Sequence, residues 1–327
     1  MREGHTSQLL NQFEEYYLKK NAQRLSYAAK EKAKYSLRHL LKYLGDVPLD
    51  SIDLADCEDF QEYLAGVVSR NSANSYIATI STVFNFALRR DMINRNVFDK
   101  LRPLKVTPSE IRVFNGTEVA AILRAANPFW RFRILAALTG GLRKGEVLNL
   151  TRDDIDERSR IIRVQPKRNT ATTWAWEPKD YEIRVVPLAP EFYNLLVTFV
   201  LPSISADQPY ICLTDQRYGN LRKRIGDLDE RVRKTPDENW RPFRNLMLRA
   251  GVNGTFHDLR RTCITVWSRS LPAQEVMKLA GHSDFETTLK YYAGIRPDII
   301  ALASTATSGA YNRGDRTRTC DLLHPMQ

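Results

Sequence analysis

The sequence reads Leu-Thr-Gly-Gly-Leu-Arg-Lys-Gly-Glu-Val-Leu at residues 138–148, near the middle of the chain. The apolar run before it has the composition of a buried helix, and the two glycines interrupt that run before a second helical stretch. The pattern predicts a helix, a glycine turn and a new helix, with Arg143 exposed on the turn and Glu146 three residues later. Because glycine turns followed by basic residues also connect ordinary helices, this stretch alone leaves a structural role open.

The region from residue 7 to residue 97 is predicted to be helical. Its apolar residues recur three and four positions apart, which fits about four helices of roughly 12 to 20 residues. Residues 45–48, Gly-Asp-Val-Pro, end one helix, and Asp56 is a plausible N-cap of the next. The polar residues 69–76 at a helix start fit either a purely structural bundle or a segment that holds phosphates.

A change in pattern divides the chain into two parts. Residues 101–108 contain two prolines and two basic residues without helical spacing, which predicts an extended linker. Beyond it, Asn115 or Thr117 caps a helix, and alternating apolar residues at 160–164 and 181–187 predict two strands. The expected fold is mainly α with a small β-sheet, divided into a helical domain (1–98), a linker (99–112), an α+β domain (113–305) and a disordered tail (306–327).

The composition excludes two classes of protein. The 327 residues are 43% hydrophobic and 27% charged, which excludes a disulfide-stapled miniprotein. No apolar run approaches the roughly 18 residues of a membrane span, which excludes insertion in a membrane. The first residues lack the apolar segment of a signal peptide, which predicts a cytoplasmic location. The cysteines are scattered without Cys-x-x-Cys pairs, so we expect core residues rather than a zinc or disulfide site: Cys57, Cys212, Cys263 and Cys320.

The chain carries an excess of positive charge. Lys and Arg number 49 against 38 Asp and Glu, so the net charge is +11. This balance fits a polyanionic partner, usually nucleic acid, and equally well a solubilising surface. Residues 217–249 are a strongly basic stretch, with ten Lys or Arg against five Asp or Glu. Its aromatic residues Tyr218, Trp240 and Phe243 fit contacts with sugars or bases, or a solvated face.

Three further motifs follow the glycine turn. A lysine stands at the tip of a predicted hairpin, a histidine and an arginine three residues apart share one helix face, and a Gly-His pair precedes two adjacent tyrosines. Solvated lysines, surface pairs and core tyrosines have the same local patterns, so no single motif assigns a function. These residues are Lys179, His257, Arg260, His282, Tyr291 and Tyr292.

Taken together, in this order and spacing, the motifs resemble the tyrosine recombinase family, which includes phage integrases. The family pattern is an arginine with an acidic residue three positions on, a hairpin lysine before a Val-Pro-Leu strand, His-x-x-Arg, and Gly-His with a tyrosine nine residues later. The match spans residues 118–293, and the N-terminal region resembles the family's core-binding domain in architecture. The resemblance implies a two-domain, C-shaped clamp around double-stranded DNA, and a site-specific recombinase that integrates or excises a phage or other mobile element.

The resemblance also implies a role for each site residue. Tyr291 becomes the nucleophile, which forms a 3′-phosphotyrosine link, and His257 becomes its general base. Two guanidiniums stabilise the pentavalent phosphate, and Lys179 protonates the leaving 5′ oxygen. His282 contacts a non-bridging oxygen, and Glu146 orients His257 or Arg143 from behind. No metal or cofactor is implied. The implied catalytic set is Arg143, Lys179, His257, Arg260, His282 and Tyr291.

The sequence departs from the family pattern at two places. The turn reads Thr-Gly-Gly-Leu-Arg, one residue longer than the common Thr-Gly-Leu-Arg. The hairpin is long and contains a second lysine, so Lys167 is an alternative general acid, although Lys179 has the usual eight-residue offset to Pro187. Tyr292 is an alternative nucleophile, one residue too far from the Gly-His pair.

The implied assembly is a homotetramer on DNA. In the family, a helix after the tyrosine docks on a neighbouring protomer, and residues 296–303 form such an apolar helix here. The same helix would also fit packing on its own domain. Two other functions share much of this pattern, namely a topoisomerase-like enzyme that relaxes DNA, and a non-catalytic accessory DNA-binding protein of the same fold.

Overall fold

The computed structural model describes residues 8–107, 111–179, 183–226 and 240–292. These residues form a mostly helical structure with one three-stranded sheet, which confirms the predicted fold class. Their buried apolar side chains form two large clusters, one built from residues 10–98 and the other from residues 114–259. The predicted tail at 306–327 and the apolar helix at 296–303 lie outside the described residues.

The N-terminal cluster is built by four helices, as predicted. They are α1 (Leu10–Lys20), α2 (Tyr27–Leu44), α3 (Leu54–Val67) and α4 (Arg70–Leu88). Gly45 ends α2 in a positive-φ conformation, at φ 77°, which glycine adopts without a steric penalty. Aromatic contacts fill the core, where the rings of Phe13 and Phe84 lie 6.2 Å apart and those of Phe84 and Phe98 lie 4.7 Å apart.

The N-cap predicted for α3 is wrong by three residues. Asp53 is the N-cap, and its carboxylate accepts the backbone N–H of Asp56 at 2.9 Å. The Asp56 carboxylate accepts the Asp53 N–H at 3.0 Å, which completes a capping box. Both aspartates suit a helix start, and only the backbone geometry shows which one lies outside the first turn. Ser69 caps α4, where residues 69–76 were expected to begin a helix.

Part of the segment predicted to be a linker is fixed to the N-terminal helices. The Asn74 side chain donates to the Leu104 carbonyl at 2.9 Å and accepts from the Leu104 N–H at 2.8 Å. Gln61 donates to the carbonyl of Arg102 at 3.0 Å. On the far side of the segment, the Phe114 N–H donates to Thr262 Oγ1 at 2.9 Å. The extended backbone at 101–104 is therefore satisfied by side chains of α3 and α4.

The C-terminal cluster combines short helices with the sheet. Asn115 caps its first helix, one of the two caps predicted there. The helix Pro190–Leu195 continues into a π-helical segment at Leu196–Val200. The helices are α5 (Gly116–Ala125), α6 (Pro128–Gly140), α7 (Lys144–Leu148), α8 (Pro190–Leu195), α9 (Asp215–Gly226), α10 (Arg241–Ala250), α11 (Phe256–Ser268), α12 (Ala273–Ala280) and α13 (Phe285–Leu289).

The sheet is antiparallel and lies between α7 and α8 in the chain. Its strands are β1 (Ile155–Asp156), β2 (Ile161–Val164) and β3 (Arg184–Pro187), and Val164 pairs with Arg184 across the β2–β3 ladder. Two of these strands fall within the predicted runs, and β1 is too short to give an alternating pattern. Alternation along β3 buries Arg184 and Val186 on the same face.

Of the aromatic residues of the basic stretch, Phe243 is buried in the core and Tyr218 and Trp240 are half-buried against it, while their contact with sugars or bases stays a prediction. The Trp240 ring lies 4.5 Å from that of Phe256, and Phe243 is buried against Trp130 at 5.6 Å. Tyr218 packs 5.9 Å from the ring of Tyr210. Burial of apolar rings favours this arrangement over exposure. Residues 227–239 of the stretch lie outside the described residues.

Cys57, Cys212 and Cys263 are buried free thiols, as expected of core residues. Cys320 lies outside the described residues. None of the helices in the described part of the chain has the length and hydropathy needed to cross a membrane.

Candidate active site

The double glycine places Arg143 at the start of α7. Gly140 is the last residue of α6, and Gly141 takes the left-handed conformation at φ 59°. A Cβ on Gly141 would lie 2.9 Å from the ring of Trp267. Arg143 is then the N-cap of α7, and its N–H donates to Glu146 Oε2 at 2.7 Å. The extra residue in the turn is therefore accommodated by a glycine that has neither a Cβ nor a preference for negative φ.

Gly141→Ala is expected to lower the free energy of unfolding by about 2–4 kcal/mol, because the left-handed backbone costs about 1–2 kcal/mol and the overlap with Trp267 adds strain. Urea denaturation followed by tryptophan fluorescence measures this change. Gly140→Ala is the matched control, since Gly140 is helical and its Cβ would make only ordinary contacts, at 3.4 Å or more. Equal stability of the two variants would contradict the role assigned to the turn.

Arg143 and Arg260 both contact the C-terminal end of α12, and Arg260 also contacts the end of α6. Arg143 donates to the carbonyl of Gly281, and Arg260 donates to the carbonyls of Gly141 and Ala280. Arg260 is 2% exposed, and Arg143 keeps 19% of its side chain exposed. Burial and the charge of Arg143 lower the pKa of Arg260 to about 9, so it stays charged at neutral pH. The two guanidiniums form a cationic pair that is suited to an anionic ligand.

Glu146 supports this pair from the interior of the protein. It is 4% exposed, and it accepts two hydrogen bonds from the Arg184 side chain, at 2.6 and 2.8 Å, and one from the Arg143 side chain, at 3.0 Å, besides the bond from the Arg143 backbone. Burial opposes ionisation, and the bonds to Arg184 outweigh it, so the pKa of Glu146 falls to about 2. Of the two partners expected for Glu146, the structure shows hydrogen bonds to Arg143.

Sequence reasoning missed Arg184. Its Nε also donates to the carbonyl of Leu279 at 3.0 Å, so it links β3 to Glu146 and to α12. The available signal was the strand period, because Arg184 shares the inward face with Val186. A charged residue on the buried face of a strand requires a charged partner nearby.

His282 and Tyr291 lie together at the end of the described chain. Their rings are nearly parallel, with centroids 6.1 Å apart and planes at 19°. His282 is buried, and its Nδ1 shares a hydrogen bond of 2.9 Å with Thr288 Oγ1. Burial and the nearby charge of Arg260 lower the pKa of His282 to about 4, so its ring is neutral at pH 7. Burial raises the pKa of the Tyr291 phenol, although Arg260 and Arg261 partly offset this.

Tyr292 has a different environment. Its hydroxyl donates to the Leu271 carbonyl at 2.6 Å, and its ring packs on the small apolar cluster of Ile264, Val276 and Ala280. The Tyr291 phenol instead lies near the charges of Arg260 and Arg261, which lower its pKa against the effect of burial. Both tyrosines pack against this cluster, and they differ in that the Tyr292 hydroxyl is bonded to a carbonyl whereas the Tyr291 phenol lies near two arginines.

His257 and Arg260 both lie on α11, as predicted, but differ in burial. His257 is exposed one residue after the start of the helix, whereas Arg260 is buried. Partial desolvation and the charges of Arg260 and Arg261 lower the pKa of His257, which keeps its ring neutral and able to accept a proton at pH 7. The next residue, Arg261, pairs with Asp258 at 2.8 Å.

The two candidate lysines differ sharply in environment. Lys167 is 9% exposed at its side chain and pairs with Asp154, which is buried. Asp154 also accepts from Gln165 at 3.0 Å and from the backbone of Thr151 at 2.8 Å. Lys179 is exposed, at the end of the described stretch before β3. Within the described ranges, no group of three or more His, Cys, Asp or Glu residues is placed to hold a metal ion.

Sequence models of two protein families match the chain. The phage integrase SAM-like domain matches residues 8–103, and the phage integrase family matches residues 112–297. These matches confirm the predicted tyrosine recombinase relationship.

Curated proteins with sequence similarity carry related names. The tyrosine recombinase XerC-like protein of Caldanaerobacter subterraneus subsp. tengcongensis is 25% identical, with an alignment covering 67% of this chain and 61% of that protein. The tyrosine recombinase XerA of Thermococcus kodakarensis is 27% identical over 68% of this chain and 71% of that protein. The ICEBs1 integrase of Bacillus subtilis is 27% identical over 37% of this chain and 34% of that protein. The chain thus spans less than two thirds of the first of these relatives.

Solved structures with the same fold include two integrases bound to DNA. The Tn1549 transposon integrase in complex with transposon right end DNA gives a TM-score of 0.67 at 19% identity, covering 92% of this chain and 99% of that one. A λ integrase tetramer bound to a Holliday junction gives a TM-score of 0.67 at 17% identity, covering 88% of this chain and 78% of that one. Because the family models together span most of its length, the chain belongs to the phage integrase family of tyrosine recombinases.

Proposed function

We propose that the protein is a site-specific recombinase that cuts and rejoins double-stranded DNA for the integration or excision of a phage or mobile element. The observation that carries this proposal is the placement of Tyr291 beside His282 and within the field of Arg260. Relatives named as the ICEBs1 and Tn1549 integrases support the link to mobile elements.

In the proposed reaction, the Tyr291 oxygen attacks the phosphorus and the bond to the 5′ oxygen breaks. The phenol has a raised pKa, so it needs a base to accept its proton as the new bond forms. The neutral ring of His257 is that base. The product, a 3′-phosphotyrosine, retains the bond energy of the broken phosphodiester. Rejoining the DNA therefore needs no nucleoside triphosphate.

The charged groups of the site stabilise the transition state. Attack places additional negative charge on the non-bridging oxygens, where Arg143 and Arg260 provide guanidinium donors held in fixed directions. His282 adds a neutral hydrogen-bond donor oriented by Thr288. Glu146 and Arg184 contribute indirectly, because Arg184 binds Glu146 and Glu146 fixes Arg143 in position.

Lys179 is the proposed general acid, because Lys167 is committed to Asp154. Lys179→Ala is expected to slow DNA cleavage by about 10²- to 10⁴-fold, the usual contribution of general acid catalysis. A substrate with sulfur at the bridging 5′ position should restore the rate, because a thiol of pKa about 8.5 leaves without a proton. Lys167→Ala should lower thermal stability instead, since it leaves Asp154 buried without its cation. If the sulfur substrate rescues Lys167→Ala and not Lys179→Ala, the assignment of the acid is wrong.

Covalent trapping tests the proposed function directly. The protein is mixed with labelled duplexes tiled across the DNA that flanks its gene, and the products are separated on a denaturing gel. A protein–DNA adduct confined to particular duplexes supports the recombinase. Relaxation of any supercoiled plasmid by a monomer would indicate a topoisomerase-like enzyme instead, and DNA binding without an adduct would indicate an accessory protein.

The proposal extends to assembly and location. The domains 1–98 and 113–305 would close around double-stranded DNA as a C-shaped clamp, with the apolar helix at 296–303 joining four protomers. The λ integrase structure is named as a tetramer on a Holliday junction, which supports this arrangement. A recombinase of this kind would act on DNA in the cytoplasm.

A further inference from the structure

The segment between β2 and β3 is anchored to the body of the C-terminal unit through Trp174. This residue is 1% exposed, and its ring stacks on that of Tyr210 with centroids 3.9 Å apart and planes at 8°. The indole N–H donates to Asn149 Oδ1 at 2.7 Å, and the backbone N–H donates to the Tyr210 hydroxyl at 3.1 Å. A surface hairpin fixed only by its strands would not bury its largest side chain in this way.

A second contact fixes the chain closer to the site. Trp176 and Lys167 exchange backbone hydrogen bonds of 2.7 and 3.1 Å. Trp176 is 8% exposed, and its indole nitrogen lies 4.0 Å from the position that a Cβ on Gly145 would occupy. Gly145 precedes Glu146 on α7. Trp176 therefore packs against the helix that carries Glu146, the residue that accepts the hydrogen bond of Arg143.

The outer edge of the segment is held by α9. The Tyr218 hydroxyl donates to the carbonyl of Thr172 at 2.7 Å. Arg222 Nη2 donates to the carbonyl of Ala171 at 2.6 Å. These bonds fix the backbone just before Trp174 and lie outside the hydrophobic core.

Lys179 therefore lies only three residues after Trp176, whose backbone and side chain are held in place. Three extended residues span at most about 11 Å, so the Trp176 anchor limits how far the backbone of Lys179 extends. On the other side, Arg184 is fixed by Glu146 and by the carbonyl of Leu279. The segment that carries Lys179 is attached at both ends to groups that also position Arg143.

We propose that Trp174 is a positioning residue for Lys179, and that the anchored segment sets where the lysine meets the departing 5′ oxygen. This inference rests on the proposed function. In the step concerned, the Tyr291 oxygen bonds to phosphorus and passes its proton to His257. The bond from phosphorus to the 5′ oxygen breaks, and the Lys179 ammonium transfers one proton to that oxygen.

The test uses cleavage rates of the full chain on a suicide duplex with oxygen or sulfur at the bridging 5′ position. Trp174→Leu removes the stack, and the double variant Tyr218→Phe with Arg222→Ala loosens the outer edge without changing the core. Tyr193→Phe is the matched control, because it removes a tyrosine hydrogen bond, to Glu157 at 2.8 Å, away from the segment. Displacing a catalytic group costs up to about 10²-fold in rate.

The expected result is selective for the leaving group. Both segment variants should cleave the oxygen substrate about ten- to a hundredfold more slowly than wild type, and the sulfur substrate at the wild-type rate. Tyr193→Phe should match wild type on both. Equal losses on both substrates, or no loss in the double variant, would overturn the positioning role. Absence of any adduct from wild type on both substrates would instead refute the proposed function, and this inference with it.

Discussion

Tyr291→Phe is expected to abolish the covalent protein–DNA adduct, because it removes the only atom that bonds to phosphorus in the proposed reaction. The loss should be on the order of 10⁶-fold, the scale observed when a covalent nucleophile is deleted. Denaturing gels with labelled duplex measure the adduct. DNA binding should persist, since the phosphate contacts depend on guanidiniums that this change leaves in place.

Tyr292→Phe is the matched control for this variant. It removes one hydroxyl from the adjacent residue and breaks the hydrogen bond to Leu271, so a modest loss of stability is expected and the adduct should remain. Persistence of the adduct in Tyr291→Phe and its loss in Tyr292→Phe would reverse the assignment. Persistence in both would rule out a nucleophile at either position.

Glu146→Ala is expected to destabilise the C-terminal unit by about 3–5 kcal/mol, the usual cost of leaving one partner of a buried ion pair without its counter-charge. The guanidinium left uncompensated is that of Arg184, which is 4% exposed at its side chain. Tryptophan fluorescence during urea denaturation is a suitable readout, because all five tryptophans lie between residues 130 and 267.

Glu275→Ala provides the comparison for an exposed pair. Glu275 and Lys278 are 3.2 Å apart on the surface of α12, with side chains 54% and 74% exposed. Removing this pair should change the free energy of unfolding by less than about 1 kcal/mol. Similar losses of unfolding free energy in Glu146→Ala and Glu275→Ala would mean that Glu146 does not stabilise the buried arginines.

The Glu146 carboxylate also makes the free energy of unfolding depend on pH. Its folded pKa of about 2 is below its usual value of 4.5, so its contribution is fully present above pH 4.5. That contribution is lost as the pH falls from 4.5 through 2, because protonation then favours the unfolded chain. The shift corresponds to about 3 kcal/mol. Glu146→Gln should lack this part of the acid transition.

Local patterns in the sequence were sufficient for the fold class, whereas the candidate site residues came from the order and spacing of several motifs and the family that these resemble. Helical spacing gave the four N-terminal helices, and strand alternation located β2 and the end of β3. The glycine pair marked the turn before Arg143. These features depend on residues close together in the chain, where the period of the backbone imposes a period on the side chains.

Contacts between distant residues could not be read in the same way. Glu146 and Arg184 are separated by 38 positions, and their pairing depends on how β3 packs against α7. Asp53 and Asp56 both suit an N-cap, and the choice between them depends on where Leu54 starts the helix. Trp240 lies in a basic stretch, yet a ring that large gains more from burial against Phe256 than from exposure.

The contacts of Arg143 and Arg260 with helix ends have a mechanical consequence. Ala280 and Gly281 end α12, where carbonyls have no partner within the helix and carry partial negative charge. The same helix end leads directly into the segment with His282 and Tyr291. A displacement of α12 would therefore move the anchors of both arginines together with His282 and Tyr291, so these four side chains are brought together or separated as a single unit.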